Sequence, residues 1–209
     1  IIVMALAVLP MLSIGGMQLF KTESYETPDK VVPKAASFAA GISIVYITLT
    51  VIWAFMLWGA GMPTFDSIAH AMTTLATGGY STKSESLAAF NSSTIEIIII
   101  FGMLVGSLPF VHYLALTKNG MKNLIKDDQV KLFLTLVFFV VLIMSLYLSS
   151  NNIPYLEALR LASFNVISII TGTGFGTSDF NNWGGFPTTI LLILMFVGGC
   201  AGSTTCGLR

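Results

Sequence analysis

The stretch "ITGTGFGT", Ile170 to Thr177, places three glycines within five residues, between two strongly apolar segments. Gly172, Gly174 and Gly176 alternate there with threonine and phenylalanine. Each glycine inside a helix destabilises it by roughly 1 kcal/mol relative to alanine, and glycine admits backbone conformations that other residues avoid. The stretch therefore predicts a loop of exposed backbone between two helices.

The composition around this loop is that of a membrane protein. Of the 209 residues, 55% are hydrophobic and only 10% are charged, whereas about 25% of the residues of a soluble domain are charged. The mean hydropathy is +0.84. The formal net charge is zero, which argues against a basic nucleic-acid-binding surface. We therefore expect the chain to contact a lipid bilayer and no nucleic acid.

Five segments are apolar enough to cross a bilayer and have, or nearly have, the required length of about 20 residues. They are residues 1–20, 35–61, 94–117, 130–148 and 187–208. Two shorter segments, 65–76 and 155–170, carry charged or amide side chains. Because each is too short or too polar to span, we interpret both as re-entrant half-helices. The predicted fold class is an all-α polytopic membrane protein.

The basic residues orient the chain. Eight of the ten lie after the first and third predicted spans or at the end of the chain: Lys21, Lys30, Lys34, Lys118, Lys122, Lys126, Lys131 and Arg209. The positive-inside rule places these loops in the cytoplasm and the glycine loops outside. We expect an integral protein of the plasma (inner) membrane. The lysines between 118 and 131 suit a partner or anionic lipid, and a solvated loop explains them equally well.

An internal repeat organises the chain. Residues 79–82, "GYST", match residues 174–177, "GFGT", at an offset of 95 residues. Each match is surrounded by a span, a half-helix, a loop and a second span. We predict one pore repeat over 35–117 and another over 130–209. Residues 1–20 are interpreted as the last helix of a preceding, truncated repeat, and the start on Ile1 indicates an internal piece of a longer polypeptide.

Both repeated loops carry no charge, between residues 76 and 82 and between residues 171 and 177. Non-helical backbone at membrane depth is tolerated only where protein buries it or where it lines a watery cavity. Backbone carbonyl oxygens can replace the hydration shell of a monovalent cation, and the C-terminal dipole of a half-helix favours a cation there. A plain extracellular turn would explain one such loop. Two at matching positions favour a pore.

These loops resemble those of a known family. "ATGGYST" (76–82) and "TGTGFGT" (171–177) resemble the second and third filter loops of the TrkH/KtrB potassium-uptake superfamily. "GGCAGSTTCGLR" (198–209) resembles its broken third-repeat helix, and "VLPMLSIGGMQLF" (8–20) the end of its first repeat. The resemblance implies a four-repeat, potassium-channel-like pore. This chain would hold the second and third repeats, and the first and fourth would belong to the same polypeptide.

The resemblance also implies the site and its partners. The residues whose backbone would bind potassium are Thr77, Gly78, Gly79, Gly172, Thr173 and Gly174. Potassium would be the transported ion, with no organic cofactor and no catalytic residue, so no enzyme is expected. A homodimer and a cytoplasmic nucleotide-binding regulatory protein would be partners. The chain departs from the family at Gly176, which lacks the hydroxyl of Ser81 and predicts a looser rim, and at Cys206 and Arg209, where glycine and lysine are common.

The segment from Gly198 to Gly207 cannot form a comfortable straight helix, because four of its ten residues are glycine. With the resemblance, it predicts a gating loop that crosses the pore beneath the filter, formed by Gly198, Gly199, Gly202, Ser203 and Gly207. A small-residue packing face is the alternative, since Gly198 and Gly202 form a G-x-x-x-G pattern. The corresponding residues 106–110 of the earlier repeat are less rich in glycine, which favours a specialised role.

The remaining candidate residues favour structural roles. Cys200 and Cys206 are interpreted as small buried side chains rather than a metal or redox pair, and His70 and His112 as structural or interfacial. Glu96 opens a helix, where a carboxylate suits the dipole.

Three other functions were weighed against a potassium pore. A dinucleotide-binding enzyme is disfavoured because the glycine spacing breaks G-x-G-x-x-G. A secondary cation transporter coupled to sodium or protons stays open, as does a two-repeat pore subunit that dimerises.

Overall fold

The computed structural model describes residues 35–119, 126–178 and 180–205, and within these ranges the chain is helical with no strand. The α-helices, in chain order, are α1 (Ala35–Gly59), α2 (Thr64–Leu75), α3 (Ser93–Gly106), α4 (Phe110–Asn119), α5 (Asp128–Ser150), α6 (Tyr155–Ile170) and α7 (Gly185–Val197). Two short 3₁₀ helices, Ser86–Phe90 and Phe180–Trp183, follow the glycine loops. The predicted first span, 1–20, lies outside the described residues.

The same order of elements occurs twice. A long helix (α1 or α5) packs on a short one (α2 or α6), a glycine loop and a 3₁₀ helix follow, and α3 or α7 returns along the short helix. Both predicted short helices are present: α2 is shifted by one residue from the predicted 65–76, and α6 has the predicted bounds of 155–170. Packing of α3 on α6 joins the two halves of the described chain.

The two long helices have the length and composition of membrane spans. Within α1, Ala39–Gly59 has a mean hydropathy of 2.1, and α5 has 2.6 over Asp128–Ser150. Large apolar side chains on both helices point away from the protein, and Phe55 and Phe138 are 65% and 63% exposed. A helix that is apolar all round is expected to be buried or to lie in lipid, so these exposed faces indicate contact with lipid.

The predicted span 94–117 is not one helix, which corrects the sequence-based expectation. It is divided into α3 and α4 at Ser107-Leu108-Pro109. Proline has no N–H and restricts the residue before it to extended conformations, so the helix ends ahead of Pro109. With 14 residues, α3 extends only about 21 Å, less than the hydrocarbon core of a bilayer.

The predicted helix break at Gly198 is confirmed. Helix α7 ends at Val197, and Gly198 has φ of +72°, a conformation that favours glycine. Residues 198–205 then run without helical structure. Both halves of the chain therefore interrupt the helix that follows their glycine loop.

The core lies around the two half-helices. Its fully buried apolar side chains come mainly from α1, α2, α3, α5 and α6 and include Leu57, Leu75, Ile99, Met144 and Phe164. Burial of such side chains fixes the positions of α2 and α6 in the protein, and hence the points at which their loops begin.

Candidate functional site

Both glycine loops leave their half-helices in the same way. Ala76 ends α2 with its N–H donating to the carbonyl of Met72 at 3.0 Å, and Thr171 ends α6 with its N–H donating to Ile167 at 3.0 Å. The acceptors are also 95 residues apart. The last carbonyl groups of a helix carry its negative dipole end, so both loops begin at a partially negative helix terminus.

The backbone conformations of the two loops also match. Thr77 and Gly79 have φ of +49° and +66°, and Gly172 and Gly174 have φ of +67° and +85°. In each loop, positive φ thus occurs at two residues separated by one other, and the pairs are related by the repeat offset of 95 residues. Glycine adopts this region freely, whereas a β-branched residue such as Thr77 does so rarely. The repeat is therefore present in backbone geometry as well as in sequence.

A hydroxyl group holds each loop to its half-helix. Thr73 Oγ1 donates to the carbonyl of Tyr80 at 2.9 Å, and Ser168 Oγ donates to the carbonyl of Phe175 at 2.7 Å. Sequence reasoning missed both residues. Extending the repeat alignment upstream would have found them, because Thr73 and Ser168 are 95 residues apart and both carry a hydroxyl.

The two loops contact each other. A Cβ atom on Gly79 would overlap the carbonyl oxygen of Thr173, so the backbones pass too closely for any other residue. At Gly172 and Gly174 a Cβ would meet nothing within 4 Å in the described chain. Of the six predicted filter residues, Gly79 and Thr173 are therefore brought together directly.

The looser rim expected at Gly176 stays a prediction, but the backbone of Gly176 is anchored to the other half. Its N–H donates to Ser86 Oγ at 3.2 Å, and its carbonyl accepts from the N–H of Leu87 at 3.2 Å. Ser86 and Leu87 both lie on the 3₁₀ helix of the other half, Ser86–Phe90. Backbone groups of Gly176 thus supply the anchoring that the missing hydroxyl would have supplied.

The unwound segment after α7 lies across the break between α3 and α4. Cys200 N–H donates to the carbonyl of Ser107 at 3.2 Å, and the N–H of Phe110 donates to the carbonyl of Gly202 at 3.0 Å. These bonds satisfy backbone groups that both helix breaks leave without helical partners. The segment is consequently docked on the protein rather than solvated.

The same segment reaches the base of the first glycine loop. Thr204 Oγ1 lies 2.8 Å from the carbonyl oxygen of Leu75, at the end of α2, and 2.9 Å from that of Gly106. Thr77 Oγ1 donates to the carbonyl of Thr204 at 3.0 Å. Sequence reasoning did not single out Thr204, and no local pattern marks it, because its partners are 98 to 129 residues away.

Other predicted residues of this segment are placed as follows. Gly199 packs so closely on Thr205 that a Cβ would overlap it, and Ser203 Oγ donates to the carbonyl of Cys200 at 2.6 Å. Cys200 is a buried free cysteine, as expected. Gly207, Cys206 and Arg209 lie outside the described residues.

A polar pair joins the halves at the N-terminal parts of α3 and α6. Glu96, 7% exposed, lies in the first turn of α3 as predicted, and its Oε2 is 3.2 Å from Arg160 Nη1. Arg160 also donates to Ser93 Oγ at 3.0 Å. Sequence reasoning had no signal for this pair, since 64 residues separate its members.

Asp66, in the first turn of α2, anchors the outer limb of the first loop. Its carboxylate accepts from Thr82 Oγ1 at 2.7 Å and lies 3.5 Å from Lys83 Nζ. The hydrogen bond from Thr82, aided by Lys83, holds the pKa of Asp66 below its usual range. No cluster of three metal-ligating side chains occurs in the described ranges.

Comparison with known proteins matches all 209 residues, 1–209, to the family model described as TrkH, cation transport protein. The chain is 37% identical over 211 residues to the Trk system potassium uptake protein TrkI of Halomonas elongata. It is 38% identical over 214 residues to TrkH of Salmonella typhimurium. Both alignments cover 100% of this chain but 43% and 44% of the relatives, so the chain spans less than half of their length.

Among solved structures, the potassium transporter TrkH from Vibrio parahaemolyticus superposes with a TM-score of 0.82. The match has 32% sequence identity and covers 99% of this chain and 42% of that chain. It confirms the predicted all-α polytopic membrane fold.

Proposed function

Because the chain belongs to the TrkH family of cation transport proteins, we propose that it forms two repeats of a pore for potassium uptake across a membrane. The repeats are 35–117 and 130–209, and the first and fourth repeats are supplied by the rest of a longer polypeptide. The observation that carries the proposal is the pair of glycine loops with matched positive φ at Thr77 and Gly79, and at Gly172 and Gly174.

The proposed filter binds potassium through backbone oxygen. Its residues are Thr77, Gly78 and Gly79 in one repeat and Gly172, Thr173 and Gly174 in the other. Alternation of positive and negative φ turns successive carbonyl groups toward one side, where they replace the ion's hydration shell. The negative ends of α2 and α6 add a favourable field. No ionised side chain is needed, and no catalytic role is assigned to any residue.

The proposed gate is the unwound segment, with Gly198, Gly199, Gly202, Ser203 and Gly207 as its permissive residues. Its support is the contact of Thr204 with Leu75 and Thr77, which places the segment at the base of the first loop. The packing alternative needs Gly198 and Gly202 on one helix face. Their φ values of +72° and +76° are not helical, which favours the gate.

The orientation and partners follow from the lysine pattern and the family. We place the filter loops outside the plasma (inner) membrane and the lysine-rich loops in the cytoplasm. The partners proposed are a second copy of the full-length protein and a cytoplasmic nucleotide-binding regulator that moves the gate.

The test is uptake of Rb⁺ and Na⁺ by the full-length protein in a potassium-starved host. Gly174→Ser should weaken discrimination against Na⁺, because a side chain at φ of +85° distorts a carbonyl-lined turn. An unchanged Rb⁺/Na⁺ ratio would remove Gly174 from the filter. Uptake that requires a sodium or proton gradient would indicate the coupled transporter instead.

A second measurement addresses the two-repeat alternative. The purified 209-residue chain should form no selective pore, since two loops supply half of a four-sided ring and leave carbonyl groups without partners. Potassium-selective conductance from the reconstituted chain alone would support a subunit that dimerises.

A further inference from the structure

His70 is a buried histidine that connects α2 to its own glycine loop. The residue is 0% exposed, its Nδ1 lies 2.8 Å from the carbonyl oxygen of Asp66, and its Nε2 lies 2.9 Å from Ser81 Oγ. A carbonyl oxygen only accepts, so Nδ1 donates to Asp66, and Nε2 makes the second hydrogen bond of the ring, to the Ser81 hydroxyl. The ring therefore holds the loop two residues beyond Gly79.

The same ring also contacts the loop of the other repeat. It stacks on Phe175 with ring centroids 5.9 Å apart and an interplanar angle of 29°. Phe175 directly follows Gly174 and is 3% exposed. Phe90 also contacts the His70 ring, with centroids 5.3 Å apart and the two rings perpendicular. His70 thus lies between the two loops and contacts both.

The repeat supplies an internal comparison. Asn165, 95 residues after His70, donates its amide to the carbonyl of Leu161 at 2.9 Å, four residues earlier, and to Ser178 Oγ at 3.3 Å. Asn165 therefore also makes one attachment to its half-helix and one to its loop, although its loop partner lies two residues beyond the equivalent of Ser81. It has no ring, so the stacking contact between loops depends on His70.

We propose that His70 is a positioning residue of the potassium filter, which sets the spacing of the second and third loops through its hydrogen bond with Ser81 and its stacking on Phe175. The proposal rests on the proposed function. Selection between cations by carbonyl oxygens depends on cavity size and on the field of the coordinating dipoles. A ring that fixes two loops relative to each other therefore acts on ion preference, without touching the ion.

The experiment measures Rb⁺ and Na⁺ uptake per folded molecule of the full-length protein. His70→Ala should lower the Rb⁺/Na⁺ ratio about two- to tenfold, the factor expected from one ordinary hydrogen bond. His70→Asn should lower the Rb⁺/Na⁺ ratio less than His70→Ala. Asparagine keeps a hydrogen-bonding side chain, as Asn165 does in the other repeat, and lacks only the ring. Phe175→Leu should add little to His70→Asn, since both remove the same contact. His112→Ala, the matched control at the other histidine, should keep the wild-type ratio.

The outcomes separate this proposal from the pore itself. A wild-type ratio in folded His70→Ala, with a lowered ratio in Gly174→Ser, overturns the positioning role and leaves the filter in place. A wild-type ratio in both variants contradicts the filter. A purely structural histidine predicts less folded protein with an unchanged ratio. If His70→Ala does not fold, Ser81→Ala and Phe175→Leu decide, and unchanged ratios in both overturn the proposal.

Discussion

Thr77 Oγ1 donates a hydrogen bond to the carbonyl oxygen of Thr204 at 3.0 Å, although 127 residues separate the two. The bond connects the glycine loop of one repeat to the unwound segment of the next. Thr204 Oγ1, in turn, lies within hydrogen-bonding distance of the carbonyl oxygens of Leu75 and Gly106. If the segment is a gate, Thr204 is the residue that fastens it beneath the filter.

Replacing Thr204 by valine should weaken this fastening, since it removes the bonds of the Thr204 hydroxyl and keeps the backbone ones. Thr204→Val removes the hydroxyl and keeps the shape, so the carbonyl of Leu75 loses this donor, at a cost of about 1–3 kcal/mol. The carbonyl of Gly106 keeps the N–H of residue 204 at 3.2 Å. We expect basal Rb⁺ uptake by the full-length protein to rise about two- to tenfold with unchanged ion preference, because Gly79 and Gly174 are not altered.

The matched control is Thr189→Val. Thr189 is exposed on α7, and its hydroxyl donates to the carbonyl of Gly185 within the same helix at 2.8 Å, so its loss should not change uptake. Deleting residues 201–205 should raise basal flux as well. Wild-type basal flux in folded Thr204→Val and in the deletion would contradict the gate.

Gly79 should tolerate no side chain. Gly79→Ala places a Cβ on the carbonyl oxygen of Thr173 and forces alanine to φ of +66°, which costs about 1–2 kcal/mol before the overlap is counted. We expect Rb⁺ uptake to be lost or the Rb⁺/Na⁺ ratio to fall by more than in Gly174→Ser, where a Cβ meets nothing within 4 Å in the described chain.

Gly59→Ala is the comparison for that substitution. Gly59 ends α1, has no positive φ, and a Cβ there would meet nothing within 4 Å. Its uptake should equal that of the wild type. Equal uptake by Gly79→Ala would mean that the two loops do not approach each other as described.

The helices and loops were predictable because their causes are local. Apolar length marks α1 and α5, polar interruptions mark α2 and α6, and glycine marks the loops. The break at Pro109 was also a local signal, and it was overlooked because the apolar run 94–117 continues through it. Proline's missing N–H outweighs hydropathy there.

The contacts between the halves were not predictable, since they depend on how the elements pack. Glu96 and Arg160 read as isolated charges in the sequence, and Thr204 as one of several small residues. The resemblance to a family identified the two glycine loops but not the residues that hold them in place. Thr73 and Ser168 lay within reach of the repeat alignment, whereas the stacking of His70 on Phe175 required coordinates.

The Arg160–Glu96 pair should stabilise the joint between the two halves. Arg160→Met leaves the carboxylate of Glu96, 7% exposed, without its cation. Removal of one partner from a buried pair costs about 3–5 kcal/mol, and we expect a value near the lower limit because the Arg160 side chain is 31% exposed. The measurement is the unfolding temperature of the full-length protein in detergent.

The double variant provides the check on that interpretation. Adding Glu96→Gln to Arg160→Met removes the unpaired charge, so part of the lost stability should return. If the double variant loses as much stability as the two single variants lose together, the pair contributes no coupling energy. The loss then comes from packing of the arginine side chain instead.

Asp127, the N-cap of α5, should make stability depend on pH. Its Oδ1 caps the helix by accepting from the N–H of Gln129 at 2.8 Å, and its Oδ2 lies 2.6 Å from His112 Nε2. Burial raises the pKa of Asp127, but the hydrogen bonds with His112, Gln129 and Val130 lower it more, and the net result is a pKa below the usual value.

A carboxyl group whose pKa is lower in the folded state stabilises the fold above its unfolded-state pKa, about 3.9, and loses that contribution as the pH falls through its folded-state value. Asp127→Asn keeps a capping oxygen and removes the charge, so the wild type should unfold at a higher temperature at pH 7, and the difference should shrink below pH of about 4. Asp127→Ala, which also removes the cap, should cost about 1 kcal/mol more at every pH. Unfolding temperatures in detergent measured from neutral to acidic pH test this, and a constant difference between wild type and Asp127→Asn across the range would show that the charge of Asp127 does not stabilise the fold.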